Sequence, residues 1–228
     1  MTLPNGEVIE MLRDDYVVGF RNIKRDDHVG DSHGYKKTQT AVGTTNGAGG
    51  RNVQLFVLAS DLTVLHVLPG FWHPDDLLGE LRFATQLHRL WQQGQMDNQQ
   101  KVRMAKAMRR THVRGLSPET IARSRWQSFD EREEMERYRS EPRDTIALDD
   151  NGRPKIKALC YVVHDRMDTR AFTKFKDFDT ESFVDYGRPY YDNNHMDRGR
   201  DFPTATRTHQ QRLKRQEKER RLLSRGSR

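Results

Sequence analysis

The segment from Asn52 to Gln93, NVQLFVLASDLTVLHVLPGFWHPDDLLGELRFATQLHRLWQQ, constrains the fold more than any other part of this chain. VQLFVLAS (53–60) is apolar at successive positions, the pattern of a strand covered on both faces. Ser60, Asp61 and Leu62 supply a tight turn, and TVLHVL (63–68) returns antiparallel. Pro69-Gly70 ends that strand. A helix is predicted from Pro74, where a missing N–H costs nothing and Asp75 and Asp76 suit the positive end of the helix dipole. Leu77, Leu81, Ala84, Leu87 and Trp91 then recur at spacings of four, three, three and four, which makes one buried stripe. A hairpin leading into an amphipathic helix implies an α/β core of sheet and helix.

The flanks are less determinate. NGEVIEMLRDD (5–15) reads as a short helix capped by Asn5, with Val8, Ile9 and Leu12 on one face. DYVVGFRNI (15–23) reads as a strand, and 24–52 as a long polar, glycine-rich connection. Beyond Gln93, residues 97–113 and 118–139 are predicted helical and highly charged, with thin stripes (Val102, Met104, Met108; Ile121, Trp126, Phe129). Residues 140–155 read as a linker, with Pro142, Asn151-Gly152 and Pro154. IKALCYVVHDRM (156–167) fits a buried strand or a short helix, and the aromatic-rich 168–192 fits a segment wrapped over the body. The expected plan is a sheet-and-helix domain over 1–93, a charged helical arm over 94–140, a linker and wrapping segment over 141–192, and a disordered or helical basic tail over 193–228.

Charge divides the chain in a second way. Residues 207–228 hold nine Lys/Arg against two Asp/Glu, which leaves 31 of each sign elsewhere, so the tail carries the whole +7 imbalance. Such a tail attracts polyanions, and Arg212, Lys214, Arg215, Lys218, Arg220 and Arg221 are its candidate contacts for nucleic acid. It lacks the interleaved aromatics that stack single-stranded bases, and Glu217 and Glu219 suit a solvated helix equally well. No apolar run reaches the ~20 residues of a membrane-spanning helix. The first residues lack the basic start and apolar run of an export signal. The expectation is a soluble, cytoplasmic protein as written, or an exported one if a signal segment lies upstream.

NGEVIEMLRDDYVVGF resembles the segment after a thioredoxin active site, where the first helix ends and the next strand begins. NVQLFVLASDLTVLHVLPGFWHPDDLLGEL is similar to that fold's final hairpin and closing helix. The resemblance is to divergent bacterial thioredoxin-like proteins with long C-terminal extensions. It implies an incomplete or degenerate thioredoxin-like domain followed by a mainly helical and irregular extension. Two departures accompany it. The family opens its first helix with Cys-x-x-Cys, whereas this chain has one cysteine, Cys160, and starts at Met1 inside what should be that helix. The family's cis-proline before the penultimate strand aligns with Val53 here. The reading that follows is a non-catalytic module binding an unknown protein partner, with no cofactor. Its rivals are a thiol–disulfide oxidoreductase whose dithiol lies upstream of Met1, and a nucleic-acid- or ribosome-associated protein acting through 207–228.

Other constellations carry less. Asp26, Asp27, His28, Asp31 and His33 crowd five possible ligands into eight residues, yet their spacing matches no metal motif, and a polar loop explains them. The glycine-rich stretch from Thr44 to Gly50 leads into a strand rather than a helix N-terminus, the wrong order for cradling phosphate. Cys160 and His164 are four apart, the spacing of a nucleophile and base on one helix, but the apolar neighbours of Cys160 suit a buried, inert thiol. His66 reads as a satisfied core or rim histidine. Val53, Phe71, Trp72 and His73 form the candidate interaction surface, with aromatic cover for the end of the sheet as the plainer role.

Overall fold

Strands β1 (Gln54–Leu58) and β2 (Val64–Pro69) pair antiparallel, with Val57 opposite His66 and a register shift after Val57. The turn between them has Leu62 at φ 62°, and the Asp61 side chain accepts from Thr63 N–H at 3.1 Å. In the computed structural model, residues 2–23, 26, 29, 46–47, 53–126 and 128–187 are described, all within one unit of the chain. The two strands are covered unequally. Every residue of β2 is buried, because helices α2 (Pro74–Trp91) and α6 (Leu159–Asp168) pack against it, whereas β1 is mostly half-buried. Cover on both faces, expected for 53–60, is thus realised in the neighbouring strand.

Helix α2 begins at Pro74, as its missing N–H predicts, and buries two adjacent stripes. One is the apolar row of Leu77, Leu81 and Ala84. The other is Asp76, Glu80, Phe83, Leu87 and Leu90, which takes two carboxylates into the core. Helix α1 (Gly6–Asp15) is capped by Asn5, whose side chain accepts from Val8 N–H at 3.2 Å. It buries Val8 and leaves Ile9 exposed.

Helix α3 (Asn98–Arg114) opens with a capping box between Asp97 and Gln100. Its buried face is not the predicted apolar stripe but Lys101, Ala105 and Arg109, while Met104 is exposed. The predicted helix over 118–139 is two helices, α4 (Pro118–Arg123) and α5 (Ser128–Tyr138). The segment read as a linker instead holds a small antiparallel hairpin, β3 (Ile146–Leu148) with β4 (Pro154–Ile156). Gly152 in that turn has φ +73°, which supplies the left-handed residue the turn needs. Helix α6 resolves the ambiguity at 156–167 in favour of helix.

The described part of the aromatic-rich segment, 168–187, packs on the core and contains a short 3-10 turn and a short helix. Thr63 bridges to Lys174, and Phe175 and Phe178 meet Phe56 of β1 edge-on at 5.1 and 5.5 Å. Phe183, in the short helix α7 (Thr180–Phe183), is buried in the same core. Tyr186 joins a smaller cluster with Trp126, Leu159 and Val162.

The strand expected at 15–23 is absent. Residues 16–23 have no regular structure, and Val17, Val18 and Phe20 are exposed, since none of the described strands lies beside them to complete a ladder. Tyr16 is tied to the body, its hydroxyl donating to Leu81 C=O at 2.8 Å. The architecture is mixed α/β with two separate two-stranded sheets among the described residues. No described helix is long and apolar enough to cross a membrane.

Candidate metal centre

Four elements each send one side chain to a single buried point. They are His66 from the middle of β2, Glu80 from the second turn of α2, His112 near the end of α3 and His164 from α6. All three imidazoles present Nε2 to the Glu80 carboxylate. His66 Nε2 lies 2.8 Å from Oε2, His112 Nε2 3.1 Å from Oε1, and His164 Nε2 3.3 Å from the carboxylate. His66, Glu80 and His164 can each place a ligand atom within 4.8 Å of the others. The rings also touch one another. His66 stacks on His164 at 5.2 Å, and Phe83 stacks on His112 at 4.2 Å while meeting His66 and His164 edge-on. Phe83 thus walls the cluster on one side and fixes ring orientation.

Solvent reaches the cluster only through His112, whose side chain is 20% exposed; those of His66, Glu80 and His164 are buried. Burial dominates the acid–base behaviour. It pushes His66 down to about 3, against the pull of Glu80, so this ring is neutral at ordinary pH. Burial alone would raise Glu80, but the charge of His164 and the hydrogen bonds from His112, His164 and His66 hold it well below the usual carboxylate range. The core therefore contains a carboxylate anion solvated by imidazoles.

The nearest permanent cation is Arg109 of α3, one helical turn before His112. Its Nη1 lies 3.3 Å from His66 Nδ1, and its Nη2 donates to Leu65 C=O at 2.8 Å. Desolvation lowers Arg109 to about 10, opposed by Asp168 and Glu80. On its other side, Nε is 3.9 Å from Asp168 Oδ1, and neither atom has a hydrogen-bond partner. Burial raises the Asp168 carboxyl.

Imidazole nitrogen and carboxylate oxygen are the donors that suit zinc and neighbouring divalent transition metals. His66, Glu80 and His164 offer three of the four ligands of a tetrahedral site, and His112, 3.1 Å from Glu80 Oε1 but outside that close-set trio, is the candidate fourth. His66 and the Cys160/His164 spacing were visible in the sequence, but their partners were not. The signal for Glu80 was its place four residues after Asp76 and three before Phe83 on the inward side of α2. The signal for α3 was the row Lys101, Ala105, Arg109 and His112, which charge made look like a solvent face.

The residues singled out by sequence fall elsewhere. Asp26 pairs with Arg21 at 2.9 Å, which suits the polar-loop reading, while Asp27, His28, Asp31 and His33 lie outside the described residues. Trp72 does not belong to the interaction surface. It is buried, with its indole N–H donating to Pro69 C=O at 3.0 Å, because it closes the end of the hairpin. Val53, Phe71 and His73 are exposed, and no cis peptide occurs among the described residues. Cys160 and His164 do share one helix, but burial raises the thiol and His164 turns to Glu80. In the glycine-rich stretch, Asn46 is buried and donates to Asp76 at 2.6 Å, and its side-chain oxygen accepts from His73 N–H at 2.7 Å. Gly47, at φ +76°, leaves a Cβ only 3.0 Å from Leu159, so this piece is packed structure. Arg212, Lys214, Arg215, Lys218, Arg220 and Arg221 lie outside the described residues. No protein-family model, curated protein or solved structure matches the chain.

Proposed function

We propose that this chain is a non-catalytic, thioredoxin-like α/β module whose core is stapled by one divalent transition-metal ion, held by His66, Glu80, His112 and His164. The observation that carries the reading is the convergence of three imidazole Nε2 atoms on one buried carboxylate from four different elements. A hydrophobic side chain at Glu80 would fill the same space without desolvating a charge. A divalent cation seated among the three imidazoles would pair with the buried Glu80 charge directly.

Four protein ligands and a nearly closed wall suit a structural ion rather than one that binds substrate. The ion would cross-link β2, α2, α3 and α6, so binding free energy becomes folding free energy. The hairpin and closing helix support the thioredoxin-like part of this reading, and the raised thiol of Cys160 supports the non-catalytic part. Exposed Val17, Val18, Phe20, Val53 and Phe71 support the wider role of binding a protein partner.

The test is metal analysis of the protein purified without chelator, followed by thermal unfolding with and without EDTA. One equivalent of zinc or a neighbouring metal is expected, together with a lower melting temperature on chelation. Glu80→Gln should lose the metal. A folded wild-type protein that takes up no zinc, cobalt, copper or nickel would end the proposal.

A further inference from the structure

One contact at the cluster opposes metal loading. A guanidinium has donors only, so a hydrogen bond from Arg109 Nη1 requires His66 Nδ1 to accept. The ring proton then sits on Nε2, where it is donated to Glu80 Oε2 at 2.8 Å. An imidazole that ligates through Nε2 needs the other tautomer, with its proton on Nδ1 and usually donated to an acceptor. That proton would face the N–H groups of Arg109. The hydrogen bond from Arg109 and ligation by His66 are mutually exclusive.

The structure also places an alternative partner for Arg109. Its Nε and Asp168 Oδ1 stand 3.9 Å apart, both buried and both without a hydrogen-bond partner. Opposite charges left just short of contact, Arg109 buried and the Asp168 side chain 25% exposed, are satisfied by a small displacement of either side chain. Moving the guanidinium toward Asp168 draws it away from His66.

We infer that Arg109 is a latch on the metal centre, holding His66 in the tautomer that cannot ligate until the guanidinium shifts to Asp168. The inference rests on the metal reading above. On loading, His66 loses the proton at Nε2 and takes one at Nδ1, so the ring exchanges no net proton with solvent. Arg109 and Asp168 are positioning residues, because neither touches the ion. Removing the latch and removing its counterweight must then act in opposite directions.

The experiment measures zinc affinity, by competition with a chromophoric chelator, for wild type, Arg109→Met and Asp168→Asn. Supporting-shell changes typically move metal affinity by about tenfold or more. Arg109→Met is expected to tighten zinc by about that factor, and Asp168→Asn to weaken it by a similar one. Damage to packing would weaken both. Long-range proton–nitrogen NMR of the His66 ring reads the tautomer directly: Nε2–H without metal and Nδ1–H when loaded. Equal affinities in all three proteins, or weakening in both variants, overturn the latch and leave the metal reading standing. Zinc binding by Arg109→Met alone supports both ideas. Absence of zinc binding in all three removes both. If Arg109→Met does not fold, Asp168→Asn and the ring spectrum decide, and an unchanged affinity with Nδ1–H already present in the metal-free protein overturns the latch.

Discussion

Asp76 and Glu80 stand one turn apart on α2, and both are buried, yet their surroundings differ in kind. Asp76 is met by Arg123, which closes two bonds at 2.7 and 2.8 Å, by Asn46 at 2.6 Å and by the Thr120 hydroxyl at 2.7 Å. Burial opposes its ionisation, but Arg123, Asn46 and Thr120 lower the carboxyl below its ordinary value. Glu80 is met by three imidazoles, and its closest permanent cation, Arg109, is spent on His66 and Leu65. A guanidinium neutralises a carboxylate but cannot coordinate a metal. An imidazole solvates the carboxylate weakly and exchanges its proton for one. Burying a carboxylate thus says little about function, and the donors chosen to satisfy it say much more.

The largest expected difference comes from breaking each carboxylate in turn. Asp76→Ala leaves Arg123 and Asn46 without their acceptor and should cost about 3 kcal/mol, the scale of a broken buried ion pair. Metal content should not change, because Asp76 ties α2 to α4 and lies outside the ligand set. Glu80→Gln should give the converse, with loss of metal and of the chelator-sensitive part of the melting temperature. Urea denaturation and metal analysis on both variants check this together. Loss of metal in Asp76→Ala would show that the two sites are one cooperative unit.

How far the sequence revealed this contrast depends on periodicity. The hairpin and α2 were legible because apolar spacing, a starting proline and turn residues agreed over 42 consecutive positions. The same periodicity misleads at α3, where Val102, Met104 and Met108 form the thin apolar stripe while Lys101, Ala105 and Arg109 are the buried residues. A charged core face is invisible to a rule that sorts residues by polarity, because its partners lie far away in sequence. Arg109 and His66 are 43 residues apart, and His164 and Glu80 are 84 apart. Residues 15–23 failed for the opposite reason. Strand propensity was present, but a strand needs a neighbour, and none of the described residues provides one.

A middle-sized effect separates the sites by pH. His66 is pushed down to about 3 in the folded protein, against an unfolded value near 6.5. The unfolded chain therefore binds more protons between those limits, and stability falls as pH drops through that window. In metal-free protein this group contributes a slope of up to about 1.4 kcal/mol per pH unit. Asp76 and Glu80 are depressed carboxyls, so their contributions are present above about 4 and fade only below it. Asp168, raised by burial, works the other way and partly offsets the loss near the lower limit. His66→Gln should flatten the stability profile between pH 6.5 and 4.5, whereas Asp76→Asn should leave its slope there unchanged. An identical slope in wild type and His66→Gln would mean that the imidazole is not held neutral by burial.

The smallest effect tests the two donor sets one member at a time. Thr120→Val removes one hydroxyl from Asp76 but leaves Arg123 and Asn46 in place, so about 1 kcal/mol of stability should be lost. His112→Gln removes the most exposed donor from Glu80, and in metal-free protein its cost should be similar, about 1 kcal/mol. Adding zinc should separate the pair. Wild type and Thr120→Val should both gain stability in proportion to the logarithm of free zinc, whereas His112→Gln, short of one ligand, should gain much less. Denaturation at several zinc concentrations reads this directly. Equal gains in all three proteins would make His112 a bystander and reduce the centre to His66, Glu80 and His164, a three-ligand site with an open position facing the exposed edge of α3.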